Sequence, residues 1–277
     1  MYYENGVAIR AVQLIQLEIL QEFDRICKKN SIPYQLIAGT LLGAIRHNGF
    51  IPWDDDVDVC LLREDYERFL EACKTDLSNQ YFLQNCFTDP QSIVQFAKIR
   101  KNGTIFKGEH LDVYSQHQGI WIDIFPLDNV KPNTLVGLFH LLSITFWYMM
   151  SISSIKGRAN QSKNIIKKLF GNCAYVITRV YPKQKCDAKV QRALKRFSQI
   201  ETKYVNSLSN GITKAKFQMH LRRKDTFMKT IDWQFENYKF PVPENYDEVL
   251  SQNFGNYLEL PPSESQKPHH RITEVII

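Results

Sequence analysis

The chain has 277 residues, of which 44% are hydrophobic and 12% aromatic, and its formal net charge at pH 7 is +6. This composition is that of a folded globular protein and excludes an intrinsically disordered chain. The charge is unevenly spread, because residues 151–199 contain twelve lysines and arginines and one acidic residue, which indicates an anionic partner for that part of the chain.

The N-terminal segment predicts an amphipathic helix over residues 9–29, since its apolar side chains form one broad stripe. It lacks the basic region, apolar run and small-residue cleavage site of a signal peptide, which predicts a cytoplasmic protein. The six cysteines contain no CxxC pair. They are therefore predicted to be small core residues in a reducing compartment rather than a zinc or disulfide framework.

Strands and helices alternate in the next hundred residues. A short buried strand is predicted over 34–38, a short helix opening at Gly39 and Thr40, a second strand over 57–62 and a second helix over 65–74. The runs YFLQN, VQFAKIR and GIWIDIFPLD supply three further strand candidates. This order predicts an α+β fold with a mixed sheet flanked by helices.

The run DDDVD within that region places four aspartates among apolar residues. In a strand, Asp56 and Asp58 would point to the same face, with their α-carbons about 7 Å apart. Two like charges on one face repel each other unless a cation lies between them, and Mg²⁺ or Mn²⁺ prefers carboxylate oxygens. An alternative is that Asp54 and Asp55 cap the turn after Pro52 while the other two face water.

Two features near this run favour a phosphate-handling site. The Gly39-Thr40 pair opens a short helix, where backbone N–H groups and the helix dipole favour an anion. In WIDIF, Asp123 lies between two isoleucines of a predicted buried strand. A third carboxylate there could complete a metal pair or take a proton from an attacking hydroxyl. The alternative for Asp123 alone is a residue at a strand edge or a cap.

Basic and aromatic residues supply candidates for substrate binding. Arg46 follows the Gly39 turn, and Lys98 and Arg100 share one face of a predicted strand, so all three are candidates for binding phosphate. Trp53 could stack on a nucleobase or a quaternary ammonium through cation–π attraction, or simply pack. From the tail, His269 and His270 could reach the site, but the sequence gives no geometry for that contact.

The segment Leu135 to Ile155 is apolar nearly all round, and His140 is its one titratable residue. It is long enough to span a hydrocarbon core of about 30 Å, but a span would separate two blocks that one domain needs. One alternative is a buried helix. The other is a helix lying on the inner leaflet of a membrane, with the neighbouring basic residues on anionic headgroups.

These observations predict three regions. Residues 1–131 form a catalytic core, residues 132–200 an apolar and then basic helical insertion that could face a membrane, and residues 201–277 a helical and turn segment packing back on the core. One helix is predicted in the tail, over residues 246–254.

Several motifs closely resemble the LicD family of phosphotransferases, which includes fukutin and fukutin-related protein. They are GTLLGAIRHNGFIPWDDDVDV, REDYERF, AKIRKNGT, WIDIFPLD and the ending VPENYDEVLSQNFGNYLELPP with PHH. The resemblance covers residues 9–128 and 240–270. It implies a nucleotidyltransferase-like core whose motif residues are Gly39, Thr40, Asp56, Asp58 and Asp123. Thr40 stands where the superfamily usually has serine.

The resemblance also implies a reaction. Members of the family move a phospho-alcohol, typically phosphocholine, from a CDP-linked donor to a sugar hydroxyl, and relatives use CDP-ribitol or CDP-glycerol. We therefore expect metal-dependent transfer from a CDP-alcohol to a cell-surface glycan precursor, with Asp56, Asp58 and Asp123 around Mg²⁺ or Mn²⁺ and CMP released. The acceptor is expected to be lipid-linked and the protein peripheral on the inner face of the membrane.

A different class of function stays open at this stage. The basic stretch could bind nucleic acid, and the nucleotidyltransferase fold also occurs in RNA-modifying enzymes. The stretch lacks interleaved exposed aromatic residues at a recognisable spacing and any known nucleic-acid motif, so no nucleic acid partner is expected. The acidic residues intact at all three motif positions disfavour a catalytically inactive scaffold.

Overall fold

The computed structural model describes residues 3, 6–109, 115–154, 175–176, 181–209, 214–227, 229–268 and 270–277. Its helices are α1 (Ile9–Lys29), α2 (Ala38–His47), α3 (Arg63–Asp76), α4 (Leu135–Ser153), α5 (Lys183–Leu194), α6 (Lys214–Met219), α7 (Lys224–Phe227) and α8 (Tyr246–Phe254). Its strands are β1 (Gln35–Leu36), β2 (Asp58–Leu62), β3 (Tyr81–Gln84), β4 (Ala97–Lys101), β5 (Ile105–Gly108), β6 (Trp121–Val130), β7 (Tyr204–Asn206), β8 (Arg222–Arg223), β9 (Thr230–Phe235), β10 (Tyr238–Pro243) and β11 (Ile272–Ile276).

The central sheet is mixed and has the strand order β1-β2-β6-β4-β3. Strands β2 and β6 run parallel, whereas β1 and β4 pair antiparallel with these neighbours and β3 pairs antiparallel with β4. The far half of β6 pairs with β7, which in turn pairs with β8. Helices flank this curled sheet, so the predicted α+β class is confirmed.

The first helix covers the sheet with its apolar stripe. Val12, Ile19, Leu20 and Phe23 are all fully buried, and α1 packs against α3, β4 and β6. The helix ends at Asn30, whose backbone and side-chain amides both donate to the carbonyl of Ile26, as is common at helix ends. The helix predicted over residues 9–29 is confirmed.

Two predicted elements differ at their ends. The first strand is limited to Gln35–Leu36 because Ala38 already begins α2, with a φ of 50°. The helix predicted over 65–74 runs from Arg63 to Asp76. Its acidic first turn, which includes Glu64, suits the positive end of the helix dipole.

The tail returns to the core of the N-terminal region. Strands β9 and β10 form a hairpin, and β11 pairs with β5. Phe235, Phe240, Leu250 and Val275 belong to the same buried cluster as Phe23 of α1. The helix predicted over residues 246–254 is confirmed as α8. The region boundaries predicted at residues 131 and 200 stay predictions.

Helices α4 and α5 pack against each other around a separate small core that contains Val130, Ile144, Val190 and Leu194. Helix α4 begins at Thr134, whose hydroxyl accepts a hydrogen bond from the amide of Gly137. Within the described residues, α4 is the one helix long and apolar enough to cross a membrane, a test that buried helices of soluble proteins also pass. One of the two predicted alternatives for this segment is a buried helix. It holds for one face of α4, which packs against the protein, whereas the other face is exposed.

Part of the basic stretch of residues 151–199 lies outside the described residues. Ile155 and six of its lysines and arginines lie outside the described residues, namely Lys156, Arg158, Lys163, Lys167, Lys168 and Arg179. The five described cysteines are free and buried, as predicted, namely Cys27, Cys60, Cys73, Cys86 and Cys186.

Two buried ion pairs join these layers. Arg63 donates from two nitrogens to the carboxylate of Asp128, at 2.6 and 2.8 Å, which ties α3 to β6. Lys183 Nζ lies 2.7 Å from Asp187 Oδ2, and Asp187 also accepts a hydrogen bond from Gln95 at 2.8 Å. Each of these buried carboxylates therefore has a cation of its own, which offsets the cost of burial.

Candidate active site

Three neighbouring strands bring charged side chains into one row. In the pairing of β2 with β6, Asp58 lies opposite Asp123, and in the pairing of β6 with β4, Asp123 lies opposite Lys98. Residues opposite each other on paired strands share a face, about 5 Å apart. Lys98 Nζ is 2.6 Å from Asp123 Oδ1. The row Asp58–Asp123–Lys98 is the centre of the candidate active site.

The acidic loop before β2 is held in place by α1. Gln13 Nε2 donates to the carbonyls of Ile51 and Asp54, at 3.1 and 2.9 Å. Gln16 Nε2 donates to the carbonyl of Asp55 at 2.8 Å. The sequence analysis missed both glutamines. Their signal was present, because they are polar residues three positions apart on the otherwise apolar face of α1.

The aspartates of this loop are crowded with those of the strands. Burial, followed by the charges of Asp56 and Asp55, raises the pKa of Asp54 to about 8. Burial also raises the pKa of Asp58 well above its usual value, and the charges of Asp56, Asp123 and Asp54 add to that rise. Negative charge therefore exceeds positive charge here, and a cation would stabilise the ionised forms.

The start of α2 lies against the same cluster. A Cβ atom added to Gly39 would lie 2.5 Å from Asp54 Oδ2, so glycine permits this close approach. Thr40 Oγ1 accepts a hydrogen bond of 2.8 Å from the amide of Asp58. Ala38 adopts a left-handed φ of 50°, a conformation that costs energy for a residue with a side chain. The structure brings Gly39 and Thr40 to the carboxylates, and their phosphate-binding role stays a prediction.

Lys98 and Arg100 share one face, as predicted, and both lie over the ring of Trp121. Lys98 Nζ is 4.3 Å and Arg100 Cζ 4.9 Å from the ring centroid. Arg100 donates to Gln84 Oε1 at 2.5 Å and to the carbonyl of Gly119 at 2.6 Å, and burial lowers its pKa to about 10. Lys98 thus belongs to the acidic cluster, whereas the guanidinium of Arg100 is held by its own neighbours.

Arg46 and Trp53 have other contacts. Arg46 lies in the last turn of α2, about 10 Å along the helix from Gly39. It donates to the carbonyls of Tyr257 and Glu259, at 2.8 and 3.0 Å. Trp53 is half-buried and packs against the main core. The roles predicted for these two residues in binding phosphate and substrate stay predictions.

His270 reaches the acidic loop from the tail. Its Nδ1 lies 3.1 Å from Asp55 Oδ1, and its ring edge packs on Trp121 with the centroids 5.5 Å apart. Burial lowers the pKa of His270, but the hydrogen bond with Asp55 and the charges of Asp55 and Asp56 outweigh it, so the pKa is raised. His269 lies outside the described residues.

A cavity opens beside this cluster on the same face of the sheet. Cys60 lies two residues beyond Asp58 on β2, about 7 Å along the strand, and it lines the cavity with Gln35, Ile37, Leu127, Arg222 and Phe227. Val249 of α8 also contributes to the wall. The cavity combines an apolar wall with two polar groups that also hold the protein together. The amide of Gln35 donates to the carbonyl of Phe227, and the guanidinium of Arg222 donates to the side chains of Gln252 and Asn253.

The residues present fit a divalent cation by charge and by chemistry. Carboxylate oxygens are the ligands that Mg²⁺ and Mn²⁺ prefer, and burial together with the neighbouring aspartates raises the pKa values of Asp54 and Asp58. Within the described ranges, however, no three His, Cys, Asp or Glu side chains already converge as metal ligands, and Asp123 is paired with Lys98. Asp56 and Asp58 fit best as ligands, and the metal stays a prediction.

Comparison with known proteins gives consistent results. The family model described as LicD/FKTN/FKRP, nucleotidyltransferase domain, matches residues 31–143. The chain is 30% identical over 266 residues to the lipopolysaccharide cholinephosphotransferase LicD of Haemophilus influenzae, a match that covers 95% of this chain and 96% of that protein.

Two shorter matches involve uncharacterized Rickettsia proteins. The chain is 43% identical over 60 residues to one from Rickettsia typhi, which covers 22% of this chain and 19% of that protein. It is 45% identical over 56 residues to one from Rickettsia prowazekii, which covers 20% of each.

Proposed function

The chain belongs to the LicD family and is a transferase of phosphate-containing groups, and from this premise we propose that it transfers phosphocholine from CDP-choline to a hydroxyl of a cell-surface glycan. The similarity to a lipopolysaccharide cholinephosphotransferase along nearly the whole chain supports phosphocholine as the group and a glycan as the acceptor. The row Asp58–Asp123–Lys98, which lies within residues matched by the family model, is the observation on which the proposal depends.

In this proposal the cluster of carboxylates binds a cation, and the cation in turn binds the donor diphosphate. Asp56 and Asp58 would hold Mg²⁺ or Mn²⁺, which when bound supplies positive charge to the donor diphosphate. The N–H groups at the start of α2, beside Gly39 and Thr40, would bind a non-bridging phosphate oxygen. Both groups favour the negative charge that grows on the departing CMP.

Asp123 and Lys98 would act on the acceptor side. Lys98 Nζ lies 2.6 Å from Asp123 Oδ1 and would hold that carboxylate in position. Asp123 would then accept the proton of the sugar hydroxyl as its oxygen attacks the choline-bearing phosphorus in line. The new bond joins the sugar oxygen to that phosphorus. The bond to the bridging oxygen breaks, and CMP leaves with the electron pair.

The cavity beside Asp58 suits the nucleoside of the donor better than its choline. Its donors include Arg222, which repels a quaternary ammonium, and the amide of Gln35. Among the described wall residues, Phe227 is the one phenylalanine, tyrosine or tryptophan and His220 the one imidazole, too few for an aromatic cage around a methylated cation. A pyrimidine ring would meet both an apolar wall and hydrogen-bond donors.

The experiment that tests this function is a donor panel. Purified protein is incubated with CDP-choline, CDP-glycerol or CDP-ribitol, with lipopolysaccharide as acceptor, with and without Mg²⁺. We expect CMP release and labelled glycan with CDP-choline, and no turnover after chelation. Preference for CDP-glycerol or CDP-ribitol would keep the mechanism and change the alcohol. Absence of CMP from every donor, or a nucleotide transferred to RNA instead, would contradict the proposal.

A further inference from the structure

Helix α4 exposes an unusually large apolar surface. Seven large apolar side chains on it are between 37 and 75% exposed, namely Leu135, Val136, Leu138, Phe139, Leu142, Phe146 and Met149. Most of them recur at steps of three and four residues, so they lie on one face of the helix; we call these seven residues the α4 stripe. A contiguous apolar surface of this kind marks an interaction site, whereas single exposed apolar residues do not.

The opposite face of α4 is firmly attached to the protein. His140 Nε2 lies 2.8 Å from the carbonyl of Ala193, and the hydroxyl of Ser151 donates to the buried carboxylate of Asp187. To span a bilayer, α4 would have to draw the Lys183–Asp187 ion pair into hydrocarbon, which is very costly. The α4 stripe is therefore displayed by a rigid support and suited to lie on a surface.

A groove rich in positive charge borders the stripe. It is formed between α4 and α5 and lined by Trp147, Lys189, Arg192, Lys195 and Arg196. Lys189 Nζ lies 5.8 Å from the ring centroid of Trp147, which places this cation directly beside α4. Lys195 also pairs with Glu67 at 2.7 Å, whereas Lys189, Arg192 and Arg196 have exposed side chains.

Apolar and cationic surfaces side by side match the chemistry of an anionic bilayer. We propose that α4 docks on a membrane that contains anionic phospholipid, with the α4 stripe among the acyl chains near the surface and the groove on the headgroup phosphates. A second copy of this chain fits less well, because its matching face is itself apolar and basic and offers no negative charge to the groove. The inference goes beyond the proposed reaction and holds for any donor that the site accepts.

Vesicle flotation of the full chain tests the stripe. Vesicles of phosphatidylcholine alone are compared with vesicles that also contain phosphatidylglycerol. We expect the wild-type protein to float with the anionic vesicles and to be retained in part at high salt. The double variant Phe139→Glu, Leu142→Glu should bind at least about tenfold more weakly. The matched control is Leu258→Glu, Leu260→Glu, which changes two side chains that are 64 and 59% exposed elsewhere and should bind like wild type.

A second pair of variants tests the groove. Lys189→Gln, Arg192→Gln should lower binding to anionic vesicles severalfold and reduce its dependence on salt. Lys28→Gln, Lys74→Gln removes two exposed lysines of α1 and α3 and should have little effect. Equal binding by the stripe variant and wild type, or no flotation of wild type, would overturn the inference.

The oligomeric state of the protein in solution and its rate of CMP release distinguish the remaining outcomes. If wild type is a dimer that the stripe variant dissociates while vesicle binding is unchanged, the stripe is a contact between copies and the inference is wrong. CMP release from CDP-choline with lipopolysaccharide as acceptor is measured on the same protein samples without vesicles, where we expect stripe and groove variants to match wild type. Loss of that activity in the wild type would count against the proposed function and would leave the flotation result intact.

Discussion

Buried charge occurs in two forms in this protein. At Arg63–Asp128 and Lys183–Asp187, each buried carboxylate has its own cation at 2.6 to 2.8 Å. Around Asp58, by contrast, the carboxylates of Asp54, Asp55, Asp56 and Asp123 crowd together. Among the described residues, Lys98 pairs with Asp123 and His270 lies against Asp55.

The difference separates stability from function. A buried pair with matched charges fixes two elements together, and its loss leaves an unpaired charge in the interior. A crowded set of buried like charges is unfavourable, and such clusters are typical of sites that bind a ligand of opposite charge. Substitutions in the two regions should therefore have opposite consequences for stability and turnover.

The largest effect is expected from Asp58→Asn. Turnover of CDP-choline should fall by about 10³-fold or more, roughly 4 kcal/mol in the barrier. The melting temperature should not fall, because the raised pKa of Asp58 means that its ionised form is unfavourable in the fold. Steady-state kinetics and thermal unfolding give the two readings.

Adding Mg²⁺ or Mn²⁺ should raise the melting temperature of wild type and have less effect on the Asp58→Asn variant. Asp225→Asn, at an exposed ion pair on α7, is the control and should leave all readings unchanged. Ordinary turnover in Asp58→Asn would remove the basis of the mechanism.

The second largest effect is expected at a matched pair. Asp128→Ala removes the buried two-nitrogen partner of Arg63 and leaves it the longer contact with Glu67 at 3.2 Å. The substitution should lower the free energy of unfolding by about 3–5 kcal/mol. Turnover per folded molecule should change little. Denaturant unfolding measures the first quantity, and Glu71→Ala at the exposed Lys74 pair should cost less than about 1 kcal/mol. If Asp128→Ala lost activity but kept its stability, the two regions would not differ as described.

Gly39→Ala should displace one carboxylate of the acidic cluster without changing any charge, which separates the effect of its position from the effect of its charge. In Gly39→Ala the new methyl would push Asp54 Oδ2, 2.5 Å away, out of its position. We expect a loss of turnover of about 10- to 100-fold, or roughly 1.4–2.8 kcal/mol, with the fold retained. Combining it with Asp54→Asn should give a non-additive result in kinetics, because both changes act on one carboxylate. Strict additivity would contradict this account.

A change of shape in the neighbouring cavity should have a smaller effect. Val249→Phe fills space beside Phe227 and should raise the KM for CDP-choline about tenfold, roughly 1.4 kcal/mol, while the KM for the glycan is unchanged. Val249→Ile is the conservative control. An unchanged donor KM in Val249→Phe would move the nucleoside out of this cavity.

The smallest effect concerns pH in the helical region. Burial lowers the pKa of His140, although its hydrogen bond to Ala193 opposes this. The unfolded chain takes up a proton near pH 6.5 while the folded chain resists it, so the free energy of unfolding should fall as the pH drops below about 6.5. His140→Gln should weaken this dependence in unfolding curves at pH 7.5 and 5.5. An equal pH dependence in both proteins would assign it to other groups.

The sequence predicted what depends on local periodicity and on strand alternation. Helix α1 followed from its apolar stripe, and Asp56, Asp58 and Asp123 were chosen because charge among buried strand residues is costly. The register that sets Lys98 opposite Asp123 depends on strand order, which periodicity does not determine. Sequence distance also hid the contact of His270 with Asp55, 215 positions apart.

The α4 helix shows a further limit of sequence reasoning. Its residues are apolar nearly all round the helix, so the sequence alone does not determine whether the helix is buried or faces a membrane. Only its packing against α5, with His140 and Ser151 on the inner face, identifies the exposed stripe. Arg46 is predicted to bind phosphate because it follows the Gly39 turn in the sequence, whereas helix α2 places it about 10 Å from Gly39.

The way the acidic loop is fastened has a consequence for how the protein folds. Gln13 and Gln16 bind it across gaps of 38 to 41 positions, whereas His270 binds it across 215. Closing the longer gap costs more chain entropy and happens more slowly. We therefore expect an early species in refolding whose loop is already docked on α1, and the contact of His270 with Asp55 to form later.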